Sequence, residues 1–208
     1  IHCKDNDDTL KNFNISVIVP DTFMEAVRDN GEWTLWNPHD NMSVRKVKAK
    51  QLWDELCQSA WKTGDPGLVF ISRVHETQPN PQLGNIEAGN PGSEQFLESY
   101  GSCNLGSIDL SKHVKNHAFD QQAFKDSVSL CVRFLNDVVD VNEFPLEELK
   151  KMNSMTRRIG LGVMGWADTL TMLKIPYDSE EALSLAEDIS STLTEGAWHT
   201  SHIVISFV

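Results

Sequence analysis

Three patterns in the 208 residues place chemically capable side chains at spacings that chemistry can use. The first is Gly160-Leu161-Gly162-Val163-Met164-Gly165, which satisfies the G-x-G-x-x-G expression for dinucleotide binding. That motif works only where a buried strand delivers the glycines to a helix N-terminus, so that a pyrophosphate can approach the backbone. The preceding stretch, 147–158, is polar and helix-like, so the glycines are expected to serve close helix packing instead. The second pattern is His113-x-x-x-His117 with His199-x-x-His202. Lys112 and Lys115 flank the first pair and no carboxylate or thiol stands at ligand spacing, so a solvated pair is expected and no metal site. No G-x-S-x-G elbow supports a Ser–His–Asp triad. The third is the stretch 88–110, which gathers an amide (Asn90), a carboxylate (Glu94) and a thiol (Cys103). On residue types alone, Asn90-Pro91-Gly92-Ser93 reads as a type II turn, with Pro at i+1 and Gly at i+2.

The elements that must position these groups follow from periodicity. Residues 12–19 read as a strand, because branched and aromatic residues crowd a short run. A helix over 21–29 follows, with Asp21 as N-cap, and then a short strand over 32–36. Residues 46–62 stack Val47, Leu52, Leu56 and Ala60 at helical spacing, with Gly64 as C-cap. A buried strand is expected over 68–71, and 75–100 reads as irregular. Residues 120–141 carry Phe124, Val128, Cys131, Leu135 and Val138 on one helical stripe, which makes Cys131 a core residue. Helices are also predicted over 146–155, 166–173 and 179–199, the last capped by Ser179, with a strand over 203–208. Strands and helices alternate, so the class is α/β, helix-rich, and 1–208 is expected to form a single domain.

Composition bounds the function. Apolar residues make up 40% and charged residues 23%, as in an ordinary globular chain. Eighteen Lys and Arg against thirty Asp and Glu give a net charge of −12. Such a surface repels phosphate backbones and anionic membranes, which argues against a nucleic-acid or membrane partner. No apolar run reaches the roughly 18 residues of a membrane span. The start, Ile1-His2-Cys3-Lys4-Asp5, has no secretory pattern and no initiator Met, so an interior fragment is expected. Cysteines at 3, 57, 103 and 131 contain no C-x-x-C pair, which suits a reducing, cytoplasmic setting more than a zinc site or disulfide scaffold.

The stretch from Asn90-Pro91-Gly92-Ser93-Glu94-Gln95 to Ser102-Cys103-Asn104-Leu105-Gly106-Ser107-Ile108-Asp109-Leu110 resembles the large, catalytic subunit of ribonucleotide reductases. The similarity is greatest to the adenosylcobalamin-dependent class. Asn12-Phe13-Asn14-Ile15-Ser16-Val17, Asp21-Thr22-Phe23-Met24, Gly31-Glu32-Trp33-Thr34-Leu35, Gly64-Asp65-Pro66-Gly67 and 157–165 match the same family in order. The resemblance runs from about residue 8 to 190 and stops before the residues after Trp198.

That resemblance implies a portion of a ten-stranded α/β barrel and a radical-based reduction of ribonucleotides to deoxyribonucleotides. In the family an Asn, a Cys and a Glu at i, i+2 and i+4 line the active site. In an extended segment alternate side chains share a face, so all three can reach one ribose. The Asn maps to Asn90, which would hydrogen-bond the sugar, and the Glu to Glu94, the base on the 3′-hydroxyl. The radical Cys maps to Gly92, which has no side chain to carry a thiyl. Ser93 would face the other way and does not replace it. Asn90, Pro91, Gly92, Ser93 and Glu94 are thus the substrate-binding candidates. Cys103 matches one of two thiols that close to a disulfide each turnover. Further implied are adenosylcobalamin as cofactor, a ribonucleoside di- or triphosphate substrate, a thioredoxin-like or dithiol reductant, and a homodimer. With Gly92 in place the chain alone is expected to be inactive. It would then be a segment of a longer enzyme with an altered loop, a silent paralogue or binding module, or an engineered chain.

Overall fold

The computed structural model, which describes residues 1–5 and 10–205, contains two short parallel strand pairs, one in each half of the chain. The chain divides into two compact units, Ile1–Ser99 and Tyr100–Val208.

The first unit runs β1 (Ser16–Val19), α1 (Asp21–Arg28), β2 (Glu32–Trp36), β3 (Ser43–Lys48), α2 (Ala49–Thr63), β4 (Gly67–Phe70), α3 (Ile71–Glu76), β5 (Ala88–Gly89) and β6 (Phe96–Leu97). β1 pairs with β4 in parallel, Ser16 opposite Gly67 and Val19 opposite Phe70. The strand begins at Ser16, later than the residue types suggest, because only four residues find a partner there. Val19, Phe23 and Ala49 form the core, and Trp33 meets Phe23 edge-to-face at 5.1 Å.

Three expectations are corrected here. Asp21 is the first helical residue, not the cap. Pro20 precedes the helix without a side-chain cap, and the Asp21 carboxylate pairs with Arg73 at 3.0 Å. Residues 46–48 belong to β3, which pairs antiparallel with β2, so α2 starts at Ala49 and ends where predicted, at left-handed Gly64 (φ 81°). Ile71 opens a short helix instead of closing β4.

The second unit runs β7 (Asn104–Asp109), a 3-10 turn (Leu110–His113), the hairpin β8 (Val114–Lys115) and β9 (Ala118–Phe119), then α4 (Gln121–Val141), α5 (Glu147–Thr156), β10 (Ile159–Met164), α6 (Trp166–Leu173) and α7 (Glu180–Ile205). β7 and β10 are parallel, joined through α4 and α5. The predicted α4 stripe is the core: Phe124 and Val128 are fully buried with Ile108, Leu110 and Ile189, and Cys131 packs against them. Asp120 caps α4 by accepting from the Ala123 N–H at 3.0 Å. Ser179 Oγ likewise accepts from the Ala182 N–H at 3.1 Å.

Sequence patterns misread this unit at three places. Gly160 and Gly162 lie within β10 and not in a strand-to-helix loop or a helix contact. A Cβ at Gly160 would stand 2.5 Å from Leu105 Cδ2 on β7, so the glycine serves the approach of two strands. The histidines at 113 and 117 are not a solvated pair. His113 is buried, with Nδ1 bonded to the Asp109 carbonyl (3.1 Å) and Nε2 to Ser127 Oγ (2.9 Å), whereas His117 sits in the β8–β9 turn at φ 59°. Finally, 203–205 continue α7, because a helix satisfies its own backbone where the described residues offer no strand partner. Residues 206–208 lie outside the described residues. The architecture is α/β, as expected, and among the described residues no closed barrel forms.

Candidate active site

The turn carrying Asn90 and Glu94 is closed by its own hydrogen bonds. β5 and β6 pair antiparallel, Ala88 opposite Leu97 and Gly89 opposite Phe96. The Asn90 N–H donates to the Gln95 carbonyl (3.1 Å) and the Ser93 N–H to the Asn90 carbonyl (2.9 Å). The Asn90 side chain adds a third bond, its Oδ1 accepting from the Gln95 N–H at 3.1 Å. The segment is therefore a hairpin turn, as residue types suggest, but not of type II. Its left-handed residue is Ser93 (φ 57°) and not Gly92, because the hairpin ladder resumes at Gln95 and the chain must reverse just before it.

This geometry replaces the extended segment in which alternate residues share a face. Asn90, Pro91 and Ser93 line a cavity of about 440 Å³, so Ser93 turns toward the same space as Asn90. Gly92 and Glu94 are exposed and are not part of that lining. At Gly92 a Cβ would meet the Glu94 carboxylate oxygen Oε2. That oxygen is the far end of an exposed, flexible side chain, which a larger residue at 92 would displace.

The cavity also draws on residues that match the family in sequence but are not among the site candidates named from it. Asn12, Asn14 and Ser16 line it beside Ile18 and Val69. The available signal was alternation: Asn14, Ser16 and Ile18 are all exposed while Val17 and Val19 turn inward. Polar residues on an exposed strand face read as solvated until a loop closes over them.

Cys103 belongs to the second unit, immediately before β7. It is half-buried, and its thiol donates weakly to the Asn104 carbonyl at 3.6 Å. Burial pushes the thiol above its ordinary pKa, and the charge of Arg158 draws it partly back. The position of a Cβ on Gly160 lies 3.5 Å from its sulfur, an ordinary packing contact. Beside it, Asn104 donates from Nδ2 to the Leu135 carbonyl at 3.1 Å. All four cysteines are free thiols. Among the described residues no group of three or more His, Cys, Asp or Glu stands ready for a metal ion, and no helix is long and apolar enough to cross a membrane.

Comparison with known proteins decides the family. The family model for the ribonucleotide reductase barrel domain matches residues 1–204. The chain belongs to the ribonucleotide reductase family. It is 45% identical over 187 residues to a vitamin B12-dependent ribonucleoside-diphosphate reductase of Thermoplasma acidophilum, covering 89% of this chain and 24% of that protein. It is 44% identical over 192 residues to the protein of the same name in Mycobacterium tuberculosis (strain CDC 1551 / Oshkosh), covering 92% of this chain and 28% of the relative. A ribonucleoside-diphosphate reductase subunit alpha of Chlamydia trachomatis is 31% identical over 211 residues, covering 86% and 20%. The chain thus spans 20 to 28% of the length of these ribonucleotide reductases. The barrel-domain match covers both parallel pairs, β1–β4 and β7–β10.

Proposed function

We propose that this chain is an interior barrel segment of a ribonucleotide reductase large subunit, whose whole protein reduces ribonucleotides to deoxyribonucleotides for DNA synthesis. What carries the reading is the family match over residues 1–204, together with the turn at 90–95 beside a cavity of ligand size. Asn90 would hydrogen-bond the sugar, Glu94 would act as base on its 3′-hydroxyl, and Pro91 and Ser93 would shape the contact. Cys103 would be one of the two thiols that supply electrons, reopened after each turnover by a thioredoxin-like or dithiol reductant. The substrate is a ribonucleoside diphosphate, the class named for the relatives. Both units would belong to one barrel domain of a cytoplasmic enzyme that pairs as a homodimer.

Adenosylcobalamin is proposed for the whole protein, on the names of its relatives. The residues described do not fit it as partner in this chain. By the family's order of residues Gly92 would stand where a thiol must receive the radical, and it has no side chain to carry one. No step is therefore routed through the cofactor. The same observation favours a second reading, a silent paralogue or binding module that keeps the scaffold while its turn has settled around glycine.

Incubation of the purified chain with adenosylcobalamin, CDP and dithiothreitol is expected to give no dCDP. Gly92→Cys alone is expected to remain inactive as well, because one thiol does not supply its reducing partner. Deoxynucleotide from the unaltered chain would overturn the assignment of silence to Gly92. Single-turnover product from the variant would show that the remaining machinery is present.

A further inference from the structure

The cavity beside the 90–95 turn lies wholly within the first unit and has an unusual chemical balance for a nucleotide site. Among the described residues no ionisable side chain lines it. Its polar groups are amides and hydroxyls, among them Asn14, Ser16, Asn90 and Ser93, and Ile18 and Phe13 supply apolar surface. A phosphate group placed there would lose its water without meeting a cation, which is costly. A sugar ring has the opposite requirements. Its hydroxyls both donate and accept, as amides and hydroxyls do, and its carbon face packs on apolar surface.

The two strand residues are well placed for such a ring. Asn14 and Ser16 precede Ile18 at two-residue spacing on the exposed face of the β1 strand and its lead-in. Ser16 stands opposite Gly67 in the β1–β4 register, and a Cβ at 67 would lie 2.9 Å from Ser16 Oγ. The bare glycine therefore gives the Ser16 hydroxyl its position. Asn90 approaches the same space from the turn, with its Oδ1 already committed to Gln95. That leaves its Nδ2 group as the donor it can offer a ligand.

We infer that Asn14 and Ser16 are specificity-determining residues which, with Asn90, hold the ribose hydroxyls of the nucleotide inside this cavity while its phosphates remain outside. The inference rests on the nucleotide-reductase reading and adds to it two residues and a division of the ligand between a neutral cavity and some other phosphate site. It is tested by titrating the 208-residue chain with adenosine, ADP, adenine and inorganic phosphate, following binding by calorimetry and the side-chain amide resonances by NMR. Adenosine and ADP are expected to bind with similar affinity, with little change from low to high salt, and adenine and phosphate are expected not to bind. Asn14→Ala and Ser16→Ala should each weaken adenosine about three- to tenfold, the worth of one net hydrogen bond. Ser16→Thr, which keeps the hydroxyl, should recover most of the loss, and melting temperatures should stay near that of the parent. Adenine binding as tightly as adenosine, or ADP binding where adenosine does not, would overturn the inference. So would unaltered adenosine affinity in both variants while Asn90→Ala loses it, an outcome that leaves the reductase reading standing. Absence of binding by both adenosine and ADP would overturn the inference and the substrate-site reading together.

Discussion

Glycine at position 92 leaves the Glu94 carboxylate lying over a backbone that has no side chain to displace it. That carboxylate is the far end of a flexible, exposed side chain, so Gly92→Cys should fold with a loss below about 1 kcal/mol. Its thermal unfolding curve, overlaid on that of the parent chain, checks this. Cys103 offers a sharper reading. Burial raises its thiol pKa, Arg158 offsets only part of the rise, and the thiolate is the reactive form. Iodoacetamide labelling followed peptide by peptide should therefore show a pH midpoint for Cys103 higher in the folded chain than in urea. A folded midpoint at or below the unfolded one would contradict the burial argument. At this scale the turn was legible, because Asn, Pro, Gly and Ser have local preferences that survive folding. Which residue takes the left-handed conformation was not, since the hairpin ladder decides it. Asn14 and Ser16 escaped notice for a similar reason. A polar side chain on a strand looks the same whether it faces bulk water or a cavity that a distant loop completes.

Between elements, the junction of α4, α5 and β10 turns on Arg157. It ends α5 in the left-handed conformation (φ 43°) and its guanidinium holds α4 at four acceptors. Asp140 is gripped by two bonds of 2.7 and 2.8 Å, and Asn136 by bonds to Oδ1 at 3.0 Å and to its carbonyl at 3.2 Å. Arg157→Ala should cost about 1–3 kcal/mol, mostly through the buried Asn136 groups left without a donor. Urea denaturation at neutral pH measures it. The guanidinium also holds the Asp140 carboxyl below the ordinary range. Its stabilising contribution is then present above the unfolded-state pKa and fades as pH falls through the lower folded value. The gap between parent and R157A should accordingly narrow in acid, and a gap independent of pH would count against the pair. Helices with a clear stripe, such as α4, were legible in full. β3 was not, because Val44 and Val47 stand three residues apart, as on a helix, and 46–48 extend the helical pattern of α2, so only pairing with β2 resolves the choice. The end of α7 failed likewise: branched residues at 203–205 favour a strand, but none stands beside them.

Over the whole molecule, five two-stranded sheets among the described residues leave strand edges without partners. Large apolar side chains are also open to water, Trp61 at 87% and Trp198 at 75% exposure among them. The charge of −12 opposes association at low salt but is screened as salt rises. Sedimentation velocity should therefore show species larger than the monomer that grow with protein and salt concentration, and a strict monomer throughout would refute this. The family and the α/β class were legible because several motifs keep their order along the chain. The separation into two units was not, since no Gly- or Ser-rich linker marks the boundary near Ser99. One further consequence follows from His113, which ties the end of β7 to α4 through bonds at both ring nitrogens and lies edge-on to Phe124 at 5.5 Å. An imidazole so enclosed sheds its ring proton to solvent slowly. Its N–H signal should stand far downfield, beside at most that of His75, whose Nε2 donates to the Ile86 carbonyl, in a proton spectrum where the exposed histidines are silent. It would serve as a built-in reporter, fading at the moment the second unit opens.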